Sequence, residues 1–152
     1  MRVMFFRFAA ALALAVLAQP AAYAEGLVSA KRLSASLAAE LAMAAVTACA
    51  QKSYHVGVVV LDYSGVQQVA LRGDGAAPQN VLNANDKAYT AASFGADTAE
   101  LVERSKSVNA GGVVIKVGDE VIGAIGVSGA PGGDNDVICA KTALDKIKDR
   151  MK

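Results

Sequence analysis

Hydrophobic residues along the chain recur with two periods. Leu33, Leu37, Leu41, Ala45 and Ala48 return at steps of three and four, which lines one face of an α-helix. Ser29 is placed to cap that helix, which is expected to run to about Gln51. Residues 56–61 (VGVVVL) are short and β-branched, as a buried strand would be. Asp62-Tyr63-Ser64-Gly65 reads as a turn, and residues 66–72 return as a second strand. Gly73-Asp74-Gly75 ends this hairpin, and Pro78 closes the loop. Over residues 81–94, Ala84, Ala88 and Ala91 make one side of a helix that Gly95 stops. Asp97 with Glu100 three residues on predicts a short capped helix ending near Lys106. Residues 111–133 then hold two apolar runs about a Gly118-Asp119 reversal, the mark of a second hairpin. Asp134 or Asn135 caps a last helix that turns Val137, Leu144, Ile147 and Met151 inward.

The predicted order is α-β-β-α-α-β-β-α. Two hairpins separated by helices make an antiparallel sheet, so the expected class is α+β, with helices flanking the sheet on one or both faces. No internal repeat or low-complexity linker divides the chain, and residues 25–152 read as a single domain.

The start of the chain belongs to a different pattern. Arg2 and Arg7 precede an almost unbroken apolar run, and Ala22-Tyr23-Ala24 is a small-x-small cleavage site. Residues 1–24 are therefore expected to be a cleaved export signal, which places the mature protein in the periplasm or outside the cell. Its apolar run is short for a bilayer span of about 20 residues, and no later stretch is suited to one. Without the two signal arginines, 13 basic residues face 14 acidic ones. A near-neutral domain with no basic run is a poor binder of phosphate backbones, so nucleic acid is not an expected partner.

Export also bears on the two cysteines. An even count in an oxidising compartment favours a Cys49–Cys139 disulfide; the alternative is a pair of buried free thiols. A redox-active pair is not expected without a CxxC spacing. Beyond the signal, Phe94, Tyr54, Tyr63 and Tyr89 are the only aromatic residues. One subunit cannot build an aromatic cage from these, so a large planar ligand would lie in a shallow cleft or at a subunit boundary.

Candidate chemistry is sparse. His55 is the only histidine, standing where the first strand begins; it is a candidate iron ligand or a solvent-facing loop residue. Lys87 and Thr90, three apart on one helix, share a face and suit one cleft. Arg72 and Asp74 flank Gly73 and would orient a ligand carboxylate or form a surface pair. Gly123, Gly126 and Gly129 lack the G-x-G-x-x-G spacing of a dinucleotide site and read as places of close approach by a helix or another chain. The Pro131-Gly132-Gly133 loop leads to a helix start, but Asp134 and Asp136 would repel an anion there. No nucleophile–base pair or metal-ligand cluster is visible.

The segments VGVVVLDYSGVQQVALRGDGAAP, NDKAYTAASFGADT, GGVVIKVGDEVIGAIGVSGAPGG and DNDVICAKTALDKI together resemble the GlcG/HbpS family in order and spacing. The resemblance covers nearly all of residues 25–152. It implies a profilin- or PAS-like antiparallel sheet flanked by helices, and assembly into homo-oligomers. It also implies association with haem, less so with corrinoids, since the family includes the C-terminal domain of propanediol-utilisation PduO. With haem as the ligand, the residues read above would take these roles: Lys87 would meet a propionate, Thr90 would donate a hydrogen bond to iron-bound oxygen, and His55 is the candidate iron ligand, although its position does not clearly match a family ligand. The expected function is an exported haem-binding protein that sequesters haem or degrades it slowly, working with a sensor or a haem-transfer protein. The alternative is a non-catalytic periplasmic accessory or sensory module that binds a small organic acid or a partner protein.

Overall fold

The computed structural model describes residue 26 and residues 29–151. The export signal expected over residues 1–24 lies outside the described residues. The fold is α+β, in the order helix α1 (Ala35–Ala50), strands β1 (Gly57–Asp62) and β2 (Gln67–Arg72), and helices α2 (Pro78–Phe94) and α3 (Thr98–Val102). Strands β3 (Gly112–Val117) and β4 (Glu120–Ser128) and helix α4 (Gly133–Ile147) follow, with a short 3-10 turn, Lys148–Arg150, after them.

Several element starts differ from the sequence expectation, each for a local reason. Ser34, not Ser29, caps α1: its hydroxyl oxygen accepts the Leu37 N–H at 3.3 Å. Pro78 opens α2 instead of closing a loop, since a first-turn residue needs no N–H and a fixed φ suits it. The Asp97 carboxylate does not cap α3; it accepts from the Val114 N–H at 3.0 Å and pairs with Lys141 at 2.9 Å. That leaves α3 ending at Val102, short of Lys106. Helix α4 begins at Gly133, so Asp134 and Asp136 lie in its first turn instead of one of them, or Asn135, capping it. Carboxylates are favourable there against the helix dipole.

The four strands form one antiparallel sheet in the order β2-β1-β4-β3. Every residue of β1 is buried, because helices cover both faces. On one face Val58, Val60, Ile125 and Val127 pack with α1 and α4 through Leu41, Ala45, Ala140 and Ile147. A disulfide joins Cys49 of α1 to Cys139 of α4 within this core, and both residues are fully buried. On the other face Val59 and Leu61 meet Ala84 and Ala88 of α2. At the outer margin of the sheet, Thr98 Oγ1 accepts the Gly112 N–H at 2.9 Å, beside the Asp97–Val114 bond.

Helix α2 lies very close to the sheet. A Cβ on Gly126 would fall 1.9 Å from the Ala84 carbonyl oxygen, and one on Gly112 would fall 2.1 Å from that of Lys87. Backbone cannot move aside as a side-chain tip can. Gly126→Ala is therefore expected to cost about 3 kcal/mol through overpacking, read as a lowered urea midpoint with an unchanged slope. Among the described residues no helix is long and apolar enough to cross a membrane.

Candidate functional site

The close approach of α2 creates the site. Its outer face presents Asn83, Asp86, Lys87 and Thr90 to a cavity of about 790 Å³. Opposite stand the end of β4 (Ser128), residues 129 and 130, the start of α4 (Gly133, Asp134, Asp136) and the loop residues 107–110. Val102 at the end of α3 completes the wall. The volume lies within the range of about 300–1,000 Å³ typical of small-molecule and cofactor sites. The lining is mostly polar, and none of the aromatic residues contributes to it.

Lys87 does not reach outward as a surface lysine would. Its stem passes over Gly111, where a Cβ would fall 2.8 Å from Lys87 Cδ and Nζ. The ammonium donates to the Val127 carbonyl at 3.1 Å and to Asp136 Oδ2 at 2.7 Å. The two side chains are 10% and 3% exposed, so this is a buried ion pair. Asp136 Oδ1 accepts the Ala130 N–H at 3.0 Å, which ties the residue before Pro131 to the first turn of α4. Burial pushes the Asp136 carboxyl above the usual aspartate value; the Lys87 and Ala130 hydrogen bonds pull it part of the way back.

Thr90 lines the same cavity, but its hydroxyl donates to the Asp86 carbonyl one turn back at 2.8 Å. That leaves its oxygen to the cavity as an acceptor, so the hydrogen-bond donor expected at this position is spent within the helix. His55 is not brought to this site. It is exposed, its Nδ1 lies 2.7 Å from the Asp74 carbonyl, and its ring packs over Gly75. Arg72 and Asp74 also lie outside the cavity lining. Among the described residues no cluster of three or more His, Cys, Asp or Glu is arranged to hold a metal.

Asn83, Asp86, Ser128 and Asp136 are among the cavity residues that the sequence reading did not single out as ligand groups. Ser128 follows Ala124 and Gly126 on the α2 face of β4, and strand alternation carries that signal. Asp136 carried none, because its partner lies 49 residues away.

A family model described as "Haem degrading protein HbpS-like" matches residues 33–145. A solved double mutant of HbpS from Streptomyces reticuli is 35% identical, with 86% of this chain and 97% of that one covered, at a TM-score of 0.77. A solved PduOC:heme complex is 25% identical, covering 76% of this chain and 94% of that one, at a TM-score of 0.66. The Klebsiella pneumoniae protein ORFY, at 23% identity, 81% and 98% coverage and a TM-score of 0.68, shares the fold. No curated protein matches the chain.

Proposed function

The chain belongs to the HbpS-like family, and from that membership we propose that it binds haem in the cavity beside α2. The observation that carries this reading is a ligand-sized cavity, with Lys87 and Thr90 on its wall, in a chain whose family and whose PduOC relative are described by haem. The residues present suit a docking cleft better than an iron site. The lining holds no His, Cys, Met or Tyr, the side chains that usually ligate haem iron. The haem would be held at its periphery by the shape of the cleft, since Thr90, with its proton on the Asp86 carbonyl, has only an acceptor to offer and a propionate has none but acceptors. Lys87 is paired with Asp136, so its charge is not free for a propionate, and its role becomes the shaping of the wall. Bound haem would supply iron redox chemistry; this chain would supply the cleft and its polar groups.

In this reading the protein is exported, self-associates, and holds haem for storage or transfer to a partner, with breakdown slow at most. Haemin titrated into the purified protein is expected to give a shifted Soret band, and His55→Ala is expected to leave the affinity unchanged. Asn83→Trp, which fills the cleft from an exposed helix position, is expected to abolish the shift. Retained binding in Asn83→Trp would place haem elsewhere. Light scattering of the same sample reads the association.

One observation favours a second reading, a non-catalytic accessory module with a small polar ligand. Asp86, Asp134 and Asp136 line the cavity with Lys87 as the single cation, a lining better suited to a polar molecule than to a flat apolar one. Thermal stabilisation by a small ligand without any Soret change would select it.

A further inference from the structure

We propose that Asp136 is a built-in competitor for the acidic arm of the cavity's ligand: a carboxylate reaches the Lys87 ammonium only as Asp136 takes up a proton from solvent. This rests on the cavity being the ligand site but not on the ligand being haem, whose propionates are one instance of such an arm. Lys87 is the only cation among the residues lining the cavity. Its ammonium carries three N–H groups and has two protein acceptors, the Val127 carbonyl at 3.1 Å and Asp136 Oδ2 at 2.7 Å. With Asp136 ionised the buried pair is neutral. A second carboxylate brought to the same ammonium would stand against the first in a partly desolvated space, where like charges repel strongly. The other ionisable groups on the cavity wall add to that repulsion: Asp86 from α2 and Asp134 from α4, both exposed. The end of α3, the end of β4, the residues that follow it and the loop residues 107–110 contribute none.

Protonation resolves the conflict at one atom. Asp136 Oδ1 accepts the Ala130 N–H at 3.0 Å, so Oδ2, which faces Lys87, is the oxygen left to take the proton. The neutral carboxyl keeps its hold on residue 130 and changes from acceptor to donor on the Lys87 side. An incoming carboxylate then meets an ammonium and an O–H donor where a carboxylate stood. Burial already disfavours the ionised form of Asp136, which brings the change within reach of a bound anion. By linkage, a ligand that strengthens the hold of Asp136 on its proton is itself bound more tightly as pH falls, by up to about tenfold per pH unit.

Ethanesulfonate and ethanesulfonamide test this, because they match in shape and differ in charge. Neither changes its ionisation over about pH 5–7.5, a window on the alkaline side of the ordinary aspartate value. In a backbone amide NMR titration of the haem-free protein, ethanesulfonate is expected to shift Lys87, Ala130 and Asp136 saturably. It is expected to bind about tenfold more tightly at the acid end of that window than at the neutral end. Ethanesulfonamide is expected to show no such dependence. Asp136→Asn sets an amide donor beside Lys87 at every pH. It is expected to bind ethanesulfonate at neutral pH as tightly as the wild type does in acid, with no pH dependence. The wild-type Asp136 carboxyl carbon signal, expected to titrate at higher pH when ethanesulfonate is present, is a readout that needs no variant. Ethanesulfonate affinity independent of pH, an equal pH dependence for ethanesulfonamide, or no shift by ethanesulfonate would overturn the proposal. So would a pH dependence that survives in Asp136→Asn, which would assign it to Asp86 or Asp134. The haemin titration is read separately, so failure here leaves that result standing, and the reverse also holds.

Discussion

Replacing Cys49 and Cys139 together by alanine is expected to lower the unfolding free energy by about 4–5 kcal/mol. The cysteines are 90 residues apart, so their bond closes most of the folded chain into one loop. In the chain-entropy account, a loop of that size removes many conformations from the unfolded ensemble and few from the folded one. The folded contacts should survive the change. Both positions are fully buried where α1 meets α4, and alanine is already the common residue of that interface, with Ala38, Ala42, Ala45, Ala140 and Ala143 around them. Equilibrium urea unfolding checks the figure. A loss below about 1 kcal/mol would show that the unfolded chain is compact without the crosslink.

Lys87→Met is expected to cost about 3–5 kcal/mol at neutral pH, because it strands the Asp136 carboxylate in a buried position. The sign of the pH dependence follows from burial. Desolvation holds the folded Asp136 carboxyl above its unfolded value even with Lys87 present, and removing the ammonium raises it further. A carboxyl whose folded pKa is raised contributes stability below the unfolded pKa and loses it as pH rises through the folded one. The deficit of Lys87→Met against the wild type should therefore be small in acid, grow as pH rises, and level off once Asp136 is ionised. Asp136→Asn removes the titrating carboxyl and leaves a buried ammonium, so its deficit against the wild type should narrow as pH rises through the raised pKa of the wild-type Asp136. Lys87→Met with Asp136→Leu should regain most of the loss, since an apolar pair of similar volume does not carry the desolvation cost. Stability curves of the three variants across pH separate these outcomes. A Lys87→Met deficit independent of pH would mean that the lysine acts by packing alone.

The architecture was largely legible in the chain because it is written in local pattern. The β-branched run of β1 is buried on both sides, and the helix periodicity placed Ala84, Ala88 and Ala91 against the sheet. Gly95 ends α2 at φ 62°, and Gly118 turns the second hairpin at φ 61°, conformations that glycine adopts without strain. The site was legible only in part. Lys87 and Thr90 were found because they share a helix face, but what they bond was not. Thr90 spends its proton on the carbonyl four residues back, a contact open to any threonine inside a helix. Asp136 was read as a charge at a helix end. Its placement follows from α4 starting at Gly133, and from a lysine on another helix that no local rule connects to it. His55 attracted attention as the only imidazole, and scarcity of a residue type says nothing about where its ring points.

Side chains of Asp97 and Thr98 occupy two N–H groups, those of Gly112 and Val114, that β3 would otherwise offer along the sheet margin. Among the described residues, no side chain bonds the opposite margin in this way at Gln67, Ala70 and Arg72 of β2, which are exposed. Growth of the sheet by strand addition is thus one-directional. Two molecules joined β2 to β2 would present only their shielded margins outward, and the chain of additions would terminate there. Such an asymmetry lets a protein dimerise through a bare strand without the means to polymerise into a fibre.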